Sequence, residues 1–214
     1  MSQATLFARP TLVATPAQQD AHDAFYTPEG LADCLVDLLY LPIWSAWLGR
    51  KSRVLEPSAG GGAFVRALRR RGTPVHALDV DSTAPGLHEA TTHAIGDFLG
   101  WQGEADWVVG NPPYSDAEAH VRHALSISPR VAFLLRLAFL ESAERLPLWS
   151  AHRPRRVYVL SERTSFTGGG TDSAAYGWFV WDGSPKRTEL EWLSWKRWRL
   201  SPSVTPATAP KPTE

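Results

Sequence analysis

Residues 108–114, which read VVGNPPY, constrain the fold of this chain more than any other stretch. An apolar run that stops at a glycine and passes into Asn-Pro-Pro-Tyr is typical of a buried strand that ends in a rigid polar turn. Open α/β sheets place their ligand sites at the carboxyl ends of their strands. The pattern therefore predicts a largely parallel sheet with a functional site at this turn.

The turn offers two hydrogen-bond acceptors and a flat ring. The side chain of Asn111 supplies one acceptor, and the carbonyl of Pro112 supplies the other, because Pro112 and Pro113 have no N–H to compete for it. Tyr114 adds an aromatic face. Such a group suits a planar amine such as that of adenine, since holding both N–H groups returns the delocalised lone pair to the nitrogen. An ordinary turn that closes a strand remains the alternative for these four residues.

Composition limits the class of protein. The 214 residues, with 43% hydrophobic and 21% charged content, fit one globular domain, which we place at 24–200 between a loose arm (1–23) and a disordered tail (201–214). The formal net charge is zero, so any contact with nucleic acid must come from a local patch. A single cysteine, Cys34, excludes a disulfide framework and favours a reducing cytoplasm. We expect no export signal and no membrane span.

Four further polar clusters stand at predicted element ends. FYTP at 25–28 begins a helix with Thr27 as its N-cap, EPSAGGG at 56–62 follows a short strand, and LDVD at 78–81 and GDF at 96–98 end two more strands. Three consecutive glycines indicate an unusual turn or the close approach of a ligand. Glu56 before them favours a ligand that carries an ammonium group over one that carries a pyrophosphate.

The second half predicts two further buried strands, a glycine-rich loop and a strand pair. We expect a helix at 116–126, a strand at 130–136, a helix at 137–149 and a strand at 155–162, then the loop at 163–170. Strands at 176–182 and 188–195, joined by Gly-Ser-Pro, are expected to pair antiparallel. His120 and His123 are expected at the surface, because no third metal ligand accompanies them. We expect no metal.

Taken in order, FYTP, EPSAGGG, LDVD, GDF and NPPY closely resemble the motifs of the S-adenosylmethionine-dependent amino-methyltransferases, specifically of the DNA adenine N6 enzymes. The resemblance covers about residues 25–182. NPPY alone also occurs in enzymes that methylate glutamine in proteins, whereas FYTP before EPSAGGG is much more specific to the nucleic-acid branch. The fold implied is the Rossmann-like α/β methyltransferase fold, a seven-stranded, mostly parallel sheet with a final antiparallel strand and helices on both faces.

The resemblance implies a cofactor site for S-adenosylmethionine. The helix end at Thr27 would hold the methionine carboxylate, Glu56 would line the methionine, and Asp79 would bind the ribose hydroxyls. Asp97 would bind the cofactor's adenine amine, and Phe98 would cover its ring. The full set of implied cofactor-binding residues is Tyr26, Thr27, Glu56, Pro57, Ala59, Gly60, Gly62, Asp79, Val80, Asp97, Phe98 and Asn111.

The resemblance also implies a base pocket. Asn111, Pro112, Pro113 and Tyr114 would form the catalytic turn, with Tyr114 against the target base. Phe166, in the glycine-rich loop, would stack on the opposite face of a flipped base. The transfer would be direct, without a covalent enzyme intermediate.

Basic residues near the carboxyl end are candidates for substrate contacts. Lys196, Arg197 and Arg199 lie among tryptophans and would bind phosphates, or they are simply the solvated charges of a sheet edge. Relatives with motifs in this order usually carry a long target-recognition domain after the catalytic one, and this chain ends without it. Recognition would then be short or lax, or come from a specificity subunit or a homodimer. Small stand-alone forms are often carried by phages or prophages, and restriction-modification is a natural setting.

Several alternatives stay open at this point. Adenine in RNA fits the same turn, because nothing in the sequence reads a 2′-hydroxyl. Glutamine methylation fits the acceptor pair but needs no second aromatic plate, so Phe166 separates the two hypotheses. A non-catalytic module that binds nucleic acid is the third. Cytosine C5 methylation is set aside because it needs an attacking cysteine near a Pro-Cys turn, and N4 methylation of cytosine usually goes with Ser at position 111.

Overall fold

The computed structural model describes residues 26–40, 51–164, 166, 173–183 and 187–198 of the chain. The predicted arm, the predicted tail, Arg199 and most of the glycine-rich loop lie outside these residues. The helices within them are α1 (Glu29–Leu39), α2 (Ala63–Arg70), α3 (Pro85–Glu89), α4 (Ala117–Ile127) and α5 (Leu146–Ala151). The strands are β1 (Val54–Glu56), β2 (Val75–Asp79), β3 (Thr92–Ile95), β4 (Trp107–Gly110), β5 (Val131–Arg136), β6 (Arg156–Leu160), β7 (Tyr176–Trp181) and β8 (Glu189–Leu193).

All eight strands form one sheet in the order β3-β2-β1-β4-β5-β7-β6-β8. Every neighbouring pair is parallel except those of β7, which runs antiparallel to both β5 and β6. The chain order reverses between β1 and β4, so a crevice opens where these two strands part. The strands that carry Glu56 and the NPPY turn are therefore neighbours at the centre of the sheet.

The two faces of the sheet bury separate apolar clusters. One cluster contains the inner faces of α1 and α2, where Leu31, Leu35 and Val65 are fully buried, and it holds Cys34 at 2% exposure. The other cluster packs α4 against the opposite face through Val121. A sheet covered on both faces explains why β1, β4 and β5 read as continuous apolar runs rather than alternating ones. None of the helices in the described ranges is long and apolar enough to cross a membrane.

Two predictions about the second half were wrong. β8 does not form a hairpin with β7. It pairs parallel with β6 and makes an eighth strand, because both sides of β7 are already occupied by β5 and β6. The helix expected at 137–149 is two short 3-10 turns followed by α5, since Ser142 adopts a positive φ of 106° and Pro147 begins a new helical turn.

Two smaller predictions also need correction. His120 is only 6% exposed and packs its ring 5.3 Å from Phe98, and the neighbouring His123 bonds the carbonyl of Trp101 through Nε2. Neither is a simple surface residue, because α4 turns this face toward the sheet. Pro28, rather than Thr27, stands at the N-cap of α1, and its carbonyl accepts the first helical bonds from Leu31 and Ala32.

Candidate functional site

The predicted motifs meet at the carboxyl edge of the sheet. β1 ends at Glu56, β2 ends at Asp79, Asp97 comes two residues after β3, and Asn111 comes directly after β4. Since β3, β2, β1 and β4 are consecutive neighbours in the sheet, three acids lead across adjacent strand ends to the NPPY turn. The fold therefore brings together residues that are up to 55 positions apart in the chain.

Glu56 is a buried carboxyl with incomplete hydrogen bonding. It is 1% exposed, and its Oε1 accepts a bond from the backbone N–H of Ser58 at 3.2 Å. Its Oε2 finds no hydrogen-bond donor among the residues that the structure describes. Burial raises the pKa of Glu56 well above its ordinary value, and the nearby Asp79 carboxylate raises it further. A buried acceptor of this kind favours a cationic ligand that brings both a charge and N–H donors.

Gly110 is the residue that makes room for Glu56. A Cβ on Gly110 would lie 2.6 Å from both Cδ and Oε2 of Glu56, much closer than atoms can pack. Gly110 is not among the residues with positive φ, so the requirement for glycine here is the space that the carboxyl occupies. The last residue before the NPPY turn is thus in direct contact with the first acid of the site.

The glycine-rich loop is held against the acid at the end of β2. Gly60 donates its N–H to Asp79 Oδ2 at 2.8 Å, and Asp79 Oδ1 accepts from the N–H of Asp81 at 2.9 Å. Gly62 has a φ of 82°, and a Cβ there would lie 2.9 Å from Cα of Gly86, at the start of α3. The loop is therefore compact and presents backbone rather than side chains to the crevice.

The FYTP residues reach both the loop and the NPPY turn. The ring of Tyr26 lies over Gly61, where a Cβ would approach its Cδ1 to 2.7 Å. Asn111 donates from Nδ2 to the Thr27 hydroxyl at 3.2 Å, across 84 residues of sequence. Because the amide is planar, this bond directs Oδ1 of Asn111 away from Thr27. These two contacts thus join three of the five predicted motifs.

An ion-pair network holds α1 on α2. Arg70 and Arg71 both bind Asp33, at 2.9 and 3.0 Å, and Arg66 pairs with Glu29 at the first residue of α1. Burial opposes the ionised form of Asp33, but the two guanidinium groups prevail and lower its pKa. The network fixes the beginning of α1, and so fixes Thr27 over the site.

The residues expected around the cofactor's adenine are only partly in the expected arrangement. Val80, just after β2, is 41% exposed and available for contact. Asp97 uses Oδ1 to cap a 3-10 turn by accepting from Leu99 N at 2.9 Å. Phe98 is 2% exposed, with its ring packed beside His120 and His123 of α4. Phe98 therefore belongs to the core beneath this part of the site, and little of its ring faces the crevice.

Tyr114 belongs to an aromatic cluster at the ends of β4, β5 and β7. Its ring centroid lies 5.4 Å from that of Tyr176 and 6.3 Å from that of Phe166, and Phe166 and Tyr176 are 4.7 Å apart. The guanidinium carbon of Arg136 lies 4.9 Å from the Tyr114 centroid. Phe166 is brought to the predicted place beside the turn, but it is 4% exposed, so its faces are covered by these neighbours.

The carboxyl-terminal segment combines packed tryptophans with exposed cations. Trp195 lies against Gly30 of α1 and Trp198 donates from Nε1 to Asp37 at 3.3 Å, so these two rings dock the segment on the fold. Lys196 and Arg197 are exposed between them. Trp192 is 76% exposed on β8. The packing of Trp195 and Trp198 thus agrees with the alternative in which this segment is a sheet edge with solvated charges, while Lys196 and Arg197 stay accessible.

Sequence reasoning missed Gly110, Arg136 and Tyr176. The glycine that ends β4 could have been recognised, because a glycine inside an apolar strand indicates close packing of another group. Arg136 and Tyr176 carry no such signal, since their contact with Tyr114 depends on β7 entering the sheet beside β5.

Comparisons with known proteins agree with this architecture. No protein-family model matches the chain. In an alignment of 148 residues that covers 64% of the chain, it is 30% identical to the type II methyltransferase M.TthHB8I of Thermus thermophilus. The chain spans about a third (31%) of the length of that curated relative.

Solved structures share the fold at low sequence identity. A Pyrococcus horikoshii protein proposed to be an RNA methyltransferase has a TM-score of 0.63 at 16% identity, over 80% of this chain and 94% of that one. The M protein of the type I restriction enzyme EcoKI has a TM-score of 0.56 at 15% identity, over 77% and 45%. Magnesium protoporphyrin IX methyltransferase from Synechocystis, with bound SAM, has a TM-score of 0.51 at 14% identity, over 72% and 80%. The predicted Rossmann-like methyltransferase fold is confirmed, with eight strands rather than seven, and the antiparallel strand is the seventh rather than the last.

Proposed function

We propose that this chain transfers a methyl group from S-adenosylmethionine to the N6 amine of adenine in DNA. The observation that carries the proposal is the meeting of two unlike groups on adjacent strands: the buried Glu56 at the end of β1 and the NPPY turn at the end of β4. Their likeness to the methyltransferase motifs and the similarity to M.TthHB8I support it.

The donors and acceptors at the edge suit the proposed cofactor. A buried carboxyl whose Oε2 has no donor among the described residues matches an ammonium group. Asp79, at the end of β2, would bind the ribose hydroxyls, as acids at this place in nucleotide-binding sheets do. Because Gly60 and Gly62 have no side chains, the backbone of their loop can approach the cofactor closely. S-adenosylmethionine would supply a methyl group on a positively charged sulfur. Val80 would contact the adenine of the cofactor, whereas the buried Phe98 would support this part of the site from the core.

Asn111 and Pro112 would activate the target amine. Oδ1 of Asn111 and the carbonyl of Pro112 would each accept one amine N–H, which concentrates the lone pair on nitrogen. The bond to Thr27 fixes the amide orientation before substrate arrives. When the amine takes up the methyl group that the bound cofactor would supply, the nitrogen would release one proton to solvent. Catalysis would then consist mainly of positioning and of stabilising partial positive charge.

The aromatic cluster would receive the base. Tyr114 would stack on one face, and Phe166 would move from its present packing against Tyr176 to cover the other. Cys34 is 2% exposed on α1, so it cannot act as the nucleophile that C5 methylation of cytosine requires.

Parallel incubation of the protein with methyl-labelled cofactor and DNA, RNA or bacterial protein tests the proposal. Label is expected in DNA, and Asn111→Ala should remove it while the variant still binds cofactor in calorimetry. Label confined to RNA or to protein would overturn the DNA assignment. Equal labelling by wild type and Asn111→Ala would overturn the role of the turn.

A further inference from the structure

Charge divides the carboxyl edge of the sheet into two halves. On the side of β1, β2 and β3, the strand ends carry Glu56, Asp79, Asp81 and Asp97, and no basic residue occurs within four described residues after these strands. The NPPY turn on β4 stands at the boundary. A cationic cofactor fits the acidic half, so the question is what the other half fits.

The other half carries four cations, which we call the basic row. Arg136 ends β5, Arg163 follows β6 by three residues, and Lys196 and Arg197 follow β8 by three and four. β5, β6 and β8 run in the same direction as β4, so these residues lie along the same edge as the NPPY turn.

Two contacts tie the near end of the basic row to the proposed base pocket. The guanidinium of Arg136 lies over the ring of Tyr114, with 4.9 Å from its carbon to the ring centroid. Arg163 donates from Nη1 to the carbonyl of Ser173, three residues before β7 begins. Because β7 lies between β5 and β6, the two guanidinium groups flank the strand that provides Tyr176 to the aromatic cluster.

The far end of the basic row is held rigidly but exposed. The backbone N–H of Trp195 donates to Glu162 Oε2 at 3.2 Å, and Lys196 Nζ lies 5.7 Å from the centre of the Trp195 ring. Lys196 and Arg197 are both exposed. Glu162 is the one acid within four described residues after β5, β6 and β8, and it is engaged by Ser194 and Trp195. The local charge is therefore strongly positive although the whole chain is neutral.

We propose that the nucleic-acid strand that carries the target base runs along the basic row, from Tyr114 over Arg136 and Arg163 to Lys196 and Arg197. This inference rests on the proposed function and adds to it the direction and the contacts of the substrate backbone. Neighbouring strands are about 4.8 Å apart, so the four steps from β4 to β8 span roughly 19 Å. At about 3.4 Å per phosphate along one strand of a duplex, that length covers five to six phosphates.

The two halves would also exclude the wrong orientation. A backbone that crossed the edge in the other direction would pass over Asp79, Asp81 and Asp97, and a polyanion is repelled there. The target nucleotide would then enter the base pocket only from the basic half of the edge, and the cofactor would bind at the acidic half.

Salt-dependent binding of a fluorescein-labelled 20-base-pair duplex, measured by anisotropy with S-adenosylhomocysteine present, tests the basic row. Arg163→Gln/Lys196→Gln should lower the slope of log affinity against log salt by up to about two, at roughly 0.9 per lost phosphate contact. Lys51→Gln/Arg187→Gln removes the same charge from exposed positions before β1 and β8, at the opposite edge, and should leave the slope unchanged. Arg163→Lys keeps the charge while altering the Ser173 contact, and it should retain the wild-type slope.

The outcomes separate this inference from the proposed function. If the wild type methylates DNA but Arg163→Gln/Lys196→Gln keeps its slope, or if the control pair loses as much, the basic row is overturned and the activity stands. If the wild type neither binds nor methylates nucleic acid, both are overturned. A lower slope in Arg163→Lys equal to that in the double variant would show that loop geometry, rather than charge, is responsible, and would also overturn the row.

Discussion

Replacing Gly110 with alanine should push Glu56 out of its place. The new Cβ would lie 2.6 Å from Cδ and Oε2 of Glu56, so the carboxyl must move by about 1 Å to reach ordinary contact. Glu56 is 1% exposed, so its neighbours restrict how far the carboxyl can move. Overpacking of this kind costs about 1–3 kcal/mol. For a domain of this size each kcal/mol lowers the melting temperature by about 2–4 °C. We therefore expect Gly110→Ala to melt about 2–12 °C below the wild type and to lose cofactor affinity.

A double-mutant cycle shows whether the carboxyl is the cause. Glu56→Ala removes the atoms that the new methyl group meets, so Gly110→Ala should cost much less in that background, with a coupling energy of about 1–3 kcal/mol. Gly61→Ala is the matched control: its Cβ would meet the ring of Tyr26 at 2.7 Å, but that ring is 55% exposed and can swing aside. The measurements are urea denaturation and calorimetric binding of S-adenosylmethionine. An unchanged cost of Gly110→Ala in the Glu56→Ala background would refute the steric argument.

Three further predictions concern the site. Asp79→Ala should weaken S-adenosylmethionine binding, while Asn111→Ala leaves binding nearly intact and lowers turnover by about 10²-fold or more; equal binding losses in calorimetry would contradict this division. Phe166→Ala should slow nucleic-acid methylation roughly 10- to 100-fold, from about 1–3 kcal/mol of stacking, while Phe166→Trp retains much of the rate and both bind cofactor normally; a wild-type rate for Phe166→Ala would remove this ring from the pocket. Burial and the nearby Asp79 raise the pKa of Glu56 in the folded state. The contribution of Glu56 to the free energy of unfolding is therefore present at acid pH and is lost as the pH rises from the unfolded-state pKa through the folded-state pKa. Glu56→Gln should flatten this part of the profile of stability against pH, and parallel profiles for variant and wild type would be contrary evidence.

The central half of the fold could be predicted because its strands are marked locally. β1, β2 and β4 are short apolar runs that end in polar or glycine residues, which is what a strand buried on both faces must look like. The resemblance of the motifs then gave their order along one edge. The hydrogen bond between Asn111 and Thr27 agrees with that order, since it joins two of the motifs across 84 residues of sequence.

The peripheral half could not be predicted in the same way. The alternating pattern of β8 fits a hairpin or an added edge strand equally well, and pairing with β6 is decided by the occupation of β7 on both sides. The apolar residues after β5 suggested a helix, but Ser142 with its positive φ interrupts it. Likewise Phe98 was expected to stack on the adenine of the cofactor. It lies in the core instead, because α4 packs His120 and His123 against its ring.

Identification of the methylated atom shows whether the protein acts on the N6 amine of adenine in DNA. DNA incubated with the protein and S-adenosylmethionine is digested to nucleosides and analysed by mass spectrometry, with Asn111→Ala as the matched control. We expect N6-methyladenine with the wild type and at least about 10²-fold less with the variant. Methyl groups found instead on cytosine N4, or only on glutamine of added protein, would contradict it.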